Sequence, residues 1–98
     1  MARYILSPEA QRSLKNIREY SIKNFGNRRT KTYLKNIRKR MQELAENSSL
    51  GTIREDLKVG YHSHFVGSHT IYYRVKPTHI DIIDVLHQSM EPSKHIIN

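Results

Sequence analysis

The run from Tyr61 to His87, YHSHFVGSHTIYYRVKPTHIDIIDVLH, constrains the fold more than any other part of the chain. Val, Ile, Tyr and Phe dominate it, and such side chains pack well on a pleated, half-buried surface. Two turn signals divide it into three runs. Gly67-Ser68 suits a two-residue turn with glycine first, because glycine tolerates the positive φ required there. Pro77-Thr78 suits a second turn, since proline presets the φ of its first position and its missing N–H is harmless in a loop. The expectation is a three-stranded antiparallel meander, Tyr61–Val66, His69–Val75 and His79–His87.

Turn positions then imply a register. Val75 is expected opposite Ile80, Arg74 opposite Asp81, Tyr72 opposite Ile83 and Thr70 opposite Val85. Strand alternation gathers Ile71, Tyr73, Val75, Ile80, Ile82 and Leu86 on one face, the candidate core face. Thr70, Tyr72, Arg74, Asp81, Ile83, Val85 and His87 share the other, a mixed surface suited to a partner.

Upstream, RYIL at Arg3–Leu6 has the look of a short strand. Ser7-Pro8-Glu9 opens a helix, with a capping hydroxyl, proline at the first helical position and an acid near the positive end of the helix dipole. Ala10, Leu14, Ile17 and Ser21 follow at helical spacing, with Tyr20, Ile22 and Phe25 beside them. Gly26 is expected to stop this helix and Asn27 to cap a second, whose apolar stripe is Leu34, Ile37, Met41 and Leu44, flanked by Tyr33 and Ala45. The reading is α+β, in the order β-α-α-β-β-β. An antiparallel helix hairpin (about 8–46) covers a small, mostly antiparallel twisted sheet, with the meander at about 61–87 and a tail at 88–98, all in one domain spanning 1–98. Residues 50–60, LGTIREDLKVG, show no clear period.

Charge is distributed unevenly. Of a net +8, residues 1–50 supply all, with 12 Lys/Arg against 4 Asp/Glu, while residues 51–98 hold 5 of each. Most of the excess lies in Arg28, Arg29, Lys31, Lys35, Arg38, Lys39 and Arg40, an interval without a single acid. Such a surface is either a solvated helix face or an attractor for nucleic acid or an acidic protein. Cysteine is absent, which excludes disulfides and thiolate metal sites. No apolar run has the length of a membrane span and no secretory signal is visible, so a cytoplasmic protein is expected.

Little in the residues points to chemistry. His62, His64 and His69 lack an obvious fourth ligand and sit at strand and turn positions, so exposed imidazoles are the better reading and no metal or other cofactor is expected. Arg74 and His87 would suit phosphodiester cleavage as a charge stabiliser and a general acid; the plainer reading pairs Arg74 with Asp81 and lets His87 end a strand.

Taken together, SPEA at the first helix, NFG in the break, LAENSSLG closing the helical region, and VGSHTIYYRV and IDIIDVLHQSM in the meander resemble the ParE/RelE superfamily of bacterial toxins. The resemblance runs from Tyr4 to about His95 and is nearest the ParE branch. It implies the toxin of a type II toxin–antitoxin pair, acting on DNA gyrase by binding, without enzymatic activity, and neutralised by a ParD-like antitoxin. Relatives on the RelE branch cut ribosome-bound message; here Arg74 and His87 would be the cutting pair. Such relatives usually carry an arginine where this chain has Thr70, and a cleavage site lacking that cation lacks its hold on the developing phosphate charge. A basic nucleic-acid-binding module without toxicity is a third reading. On the leading one, Tyr72, Arg74, Ile83 and Val85 face the antitoxin, while Met90, Lys94, Ile96 and Ile97 face the target.

Overall fold

The computed structural model describes residues 2–96. Its strands are β1 (Tyr4–Leu6), β2 (Thr52–Ile53), β3 (Tyr61–Val66), β4 (His69–Val75) and β5 (Ile80–His87), and one helical element, α1 (Pro8–Glu46), connects β1 to the rest. Short 3-10 turns occupy Ser48–Leu50 and Pro92–Lys94.

The expected hairpin of two separate helices needs correcting. Helical structure runs from Pro8 to Glu46 as one main element, and a single residue, Gly26, leaves helical geometry at φ 85 and ψ 170. A straight helix of that length would measure about 58 Å, yet the longest dimension of the molecule is 37 Å. The element is therefore bent sharply at Gly26, and both of its arms send residues into one core. No connecting loop separates the arms. Asn27 is exposed and does not supply the expected cap; the bond made at the bend is from the Thr30 hydroxyl to the Gly26 carbonyl at 2.8 Å, which is no cap. A Cβ at position 26 would meet nothing within 4 Å, so backbone conformation alone calls for glycine there.

Ser7 begins α1 as its sequence context implies. Its hydroxyl accepts from the Ala10 N–H at 3.0 Å and donates to the Ile83 carbonyl at 2.6 Å. One side chain thus caps the helix and ties it to the far end of the chain.

A second correction concerns the sheet. It has five strands in the order β1-β5-β4-β3-β2 and is mixed, because β1 runs parallel to β5 with Tyr4 opposite Ile80 and Leu6 opposite Ile82. The segment without a period supplies β2, paired antiparallel to β3 through Thr52–Ser63 and Ile53–His62. Two residues are too few for a two-residue repeat to register in a sequence.

Between β4 and β5 the pairs Val75–Ile80, Arg74–Asp81 and Tyr73–Ile82 form as alternation predicts, and then a bulge intervenes. Beyond it Tyr72 lies opposite Asp84, Ile71 opposite Val85 and Thr70 opposite Leu86. The expected pairs Tyr72–Ile83 and Thr70–Val85 are not made. One extra residue inverts the facing of everything after it. Val85 joins the core beneath α1, and Leu86 turns to the opposite side with Tyr72. Val75, expected in the core, is 43% exposed at the strand end.

The main core lies between α1 and the sheet. Ala10, Leu14, Ile17, Leu34, Ile37, Met41 and Leu44 meet Val66, Ile71, Tyr73, Ile80, Ile82 and Val85 there. On the sheet's other side Leu57, Tyr61, Tyr72 and Leu86 form a smaller cluster, against which Ile83 and Ile96 pack. Among the described residues no helix is long and apolar enough to cross a membrane.

Candidate functional site

Residues expected to face an antitoxin divide between the two sides of the sheet. Tyr72 is 5% exposed within the smaller cluster, and Ile83 is half-buried against it. Arg54 reaches over the Tyr72 ring at 6.0 Å while its guanidinium is held by Asp56 at 3.0 and 3.1 Å. That bond raises the Arg54 pKa and lowers that of Asp56. Arg74 is exposed on this same side. Asp81 lies opposite it in the ladder, but the Asp81 carboxylate is engaged by His79 Nε2 at 2.8 Å. Among the described residues Arg74 therefore has no acidic partner. Val85 does not join this group; it sits 2% exposed in the main core.

The same bulge separates the pair that cleavage would need. Arg74 pairs with Asp81 near one end of the β4–β5 ladder and His87 with His69 at the other. Five residues of strand put them about 17 Å apart. Position 74 differs from 69 by an odd number, so their side chains leave opposite faces. His87 Nδ1 accepts the Ser89 N–H at 3.1 Å and meets the Ser89 hydroxyl at 2.8 Å, closing the turn after β5. Thr70 is 4% exposed and offers no cation to hold a phosphate.

In the tail, Met90 and Lys94 are exposed and Ile96 packs on the smaller cluster. Ile97 lies outside the described residues. Ile96 is thereby folded back on the body while Met90, 37% exposed, is presented to solvent. Among the described residues no group of three or more His, Asp or Glu is placed to hold a metal ion. His62 stacks on Tyr73 with ring centres 5.2 Å apart. His64 Nε2 lies 2.9 Å from Arg40, and burial followed by that guanidinium lowers its pKa.

Reasoning from the sequence missed one site. At the Gly26 bend, α1 meets the ends of β4 and β5 around a groove of about 330 Å³ lined by Tyr20, Phe25, Arg29, Tyr33, His69 and His87, among others. Tyr20 and Phe25 are 65% and 55% exposed. Tyr33 Oη lies 2.6 Å from His69 Nδ1, and the rings of His69 and His87 meet edge to face at 5.3 Å. Burial, with a smaller contribution from His87, lowers the His69 pKa. The available signal was two aromatics close to a helix-breaking glycine and set beside the apolar stripe. Their convergence with His69 and His87 needs the bend and the bulge together.

Comparison with known proteins accords with this geometry. A model of the family described as "ParE toxin of type II toxin-antitoxin system, parDE" matches residues 4–92. Toxin ParE1 of Mycobacterium tuberculosis is 32% identical over 96 residues, covering 97% of this chain and 98% of that protein. Toxin ParE1 of Caulobacter vibrioides is 34% identical over 96 residues, covering 98% and 99%. The fold is shared with a solved chain of the chromosomal ParDE toxin–antitoxin system from P. aeruginosa, at a TM-score of 0.76 and 17% identity over 89% of this chain and 96% of that one. A chain of the RelBE2 toxin–antitoxin complex from Mycobacterium tuberculosis gives 0.61 and 19% over 88% and 96%. With a family match across most of its length and relatives above 30% identity along nearly all of it, the chain belongs to the ParE family, the toxins of parDE type II toxin–antitoxin systems.

Proposed function

We propose that this toxin acts by gripping DNA gyrase, and that its ParD-like antitoxin neutralises it by covering the sheet side that carries Tyr72, Arg74 and Ile83. Membership in the ParE family supports the target. The observation that favours binding over cleavage is the placement of Arg74 and His87: the β5 bulge turns them to opposite faces, and their ladder positions lie about 17 Å apart. A phosphodiester spans far less than that, so the two cannot act on one scissile bond.

Arg74 is an exposed cation on that side without an ion-pair partner among the described residues, next to an apolar cluster whose rim includes Ile83. An acidic segment folding onto it would gain both charge pairing and buried apolar area. Val85 supports this surface from behind, as part of the core. The tail makes the gyrase contact, with Met90 and Lys94 presented outward, Ile96 anchoring the segment and Ile97 next in sequence.

Two assays on the purified toxin test the reading. Inhibition of gyrase supercoiling, without scission of ribosome-bound message, is the expected result. Message cleavage that disappears in His87→Ala would overturn it.

A further inference from the structure

We propose that the bent helical element carries a docking groove for duplex DNA, formed by Arg18, Arg28, Lys31 and Arg38 and extended by Lys35. Arg28, Lys31, Lys35 and Arg38 follow one another at spacings of three, four and three, which makes one stripe along the second arm of α1. The stripe is about 15 Å long, with successive cations about 4.5–6 Å apart along the axis. Arg18 comes from the first arm and lines the same groove, together with Ile22, Asn27, Thr30 and Leu34. All five cations are exposed, and no acidic residue lines the groove.

The ion pairs among the described residues are Arg12–Glu9, Arg40–Glu43, Arg54–Asp56 and His79–Asp81, none of which involves this set. Converging cations without an internal counter-charge repel one another; a polyanion relieves that repulsion by its own charge and gains further as its condensed counterions are released. Guanidinium forks from three arginines match phosphate oxygens in geometry as well as charge.

The groove's apolar residues decide which polyanion fits. Leu34 is 7% exposed and Ile22 is half-buried, so the apolar surface is a narrow strip between the cations, small beside what an amphipathic acidic peptide would need to bury. The exposed aromatics Tyr20 and Phe25 line the other groove, at the bend. Without an aromatic platform in the basic groove, unpaired bases have nothing to stack on, which disfavours single strands. Cations in a line along one helical arm, with Arg18 of the other beside them, fit the phosphate walls of B-form DNA, whose wide groove admits a helix, better than the deep, narrow groove of duplex RNA. Contact through phosphates alone predicts binding with little sequence preference. The inference rests on the charge geometry of α1 and stands whether or not gyrase is the target.

The test is a titration of the full chain against a labelled DNA duplex at several salt concentrations. The logarithm of affinity should fall with that of salt at a slope of about −3 to −5, as four or five phosphate contacts require. In R28Q/K31Q/R38Q the slope should shrink by about 3, since each lost contact removes about 1. The control R3Q/K58Q/K76Q makes the same change in net charge at exposed or half-exposed positions outside the groove, and it should keep the parent slope. Circular dichroism of both variants establishes that they fold. Equal loss in the two triples would reduce the effect to net charge and overturn the proposal. So would absence of duplex binding at low salt, or tighter binding of single-stranded DNA, duplex RNA or an acidic peptide.

Discussion

The phenol of Tyr33, on α1, stands 2.6 Å from Nδ1 of His69, the first residue of β4. That same oxygen lies 3.1 Å from the Val66 carbonyl and accepts the Ser68 N–H at 3.1 Å. One hydroxyl therefore fixes the β3–β4 turn against the helix and closes one wall of the groove at the bend. Tyr33→Phe should cost about 1–2 kcal/mol, the worth of such bonds when a partner is left unmet. In a chain of this size that corresponds to a fall in Tm of roughly 4–16 °C, which thermal unfolding followed by circular dichroism will read.

Acid should weaken the fold through two histidines. Burial lowers the pKa of His69 and of His64 in the folded chain below the ordinary value of 6.5. The unfolded chain therefore takes up protons first as pH falls through about 6.5, and stability declines with it until the folded-state values are passed. Equilibrium unfolding in urea at pH steps from about 7.5 to about 5 should show this loss, and His69→Asn should flatten the profile. A parent profile that is level across that range would contradict the assignment.

Gly67 and Gly26 both have positive φ, at 58 and 85, but for different surroundings. A Cβ at Gly26 would meet open space, so Gly26→Ala should cost only the conformational strain, about 1–3 kcal/mol. At Gly67 a Cβ would come within 2.6 Å of the Tyr33 ring as well. Gly67→Ala should accordingly cost more than the roughly 1–2 kcal/mol of backbone strain. Combined with Tyr33→Ala, which removes the obstructing ring, it should cost less than the two changes summed, and a double-mutant cycle measures the difference.

Asp84 is 6% exposed just after the bulge, where its carboxylate accepts from the Ser13 hydroxyl at 2.5 Å and the Val85 N–H at 2.8 Å. Asp84→Ala leaves both donors without this acceptor and should destabilise by about 1–3 kcal/mol. Asp84→Asn retains an acceptor oxygen and should cost less. If Asp84→Ala unfolds at the denaturant concentration of the parent chain, Asp84 contributes no such anchoring.

Charge reversal at Arg74 should weaken the complex with a ParD-like antitoxin, and unchanged affinity would remove that side of the sheet from consideration. Deleting residues 91–98 should abolish gyrase inhibition. Because Ile96 packs on Leu57, Tyr61, Tyr72 and Leu86, the truncated chain should also unfold at a lower temperature while remaining folded at 25 °C. Calorimetry alongside the supercoiling assay separates those two effects.

Those residues whose structural role is set by near neighbours were the ones legible in the sequence. Ser7 caps α1, the Gly67 turn joins β3 to β4, and the helical stripe from Ala10 to Leu44 enters the core, because each depends on residues within a few positions. The β5 bulge escaped, since Ile82-Ile83-Asp84-Val85 alternates passably in either register and the choice rests on distant partners, among them Ser13, which Asp84 meets. Facing errors followed from that one residue: Val85 and Leu86 exchange sides, and Arg74 parts from His87. The Gly26 break was visible, yet one residue with φ 85 accomplishes what a connecting loop was expected to do. The basic stripe was countable in the sequence, but the arrival of Arg18 beside it depends on the bend.

Parallel pairing of β1 with β5 has a consequence for how the protein is born. Tyr4–Leu6 can join the sheet only through Ile80–Ile82, and the Ser7 hydroxyl meets a carbonyl 76 residues further on. Closing so long a loop comes late, after local structure has formed. A ribosome must therefore have passed Ile82 before Tyr4–Leu6 finds a seat, so the sheet of a nascent chain stays one strand short until then; protease digestion of chains stalled short of Ile80 should find Tyr4–Leu6 unprotected.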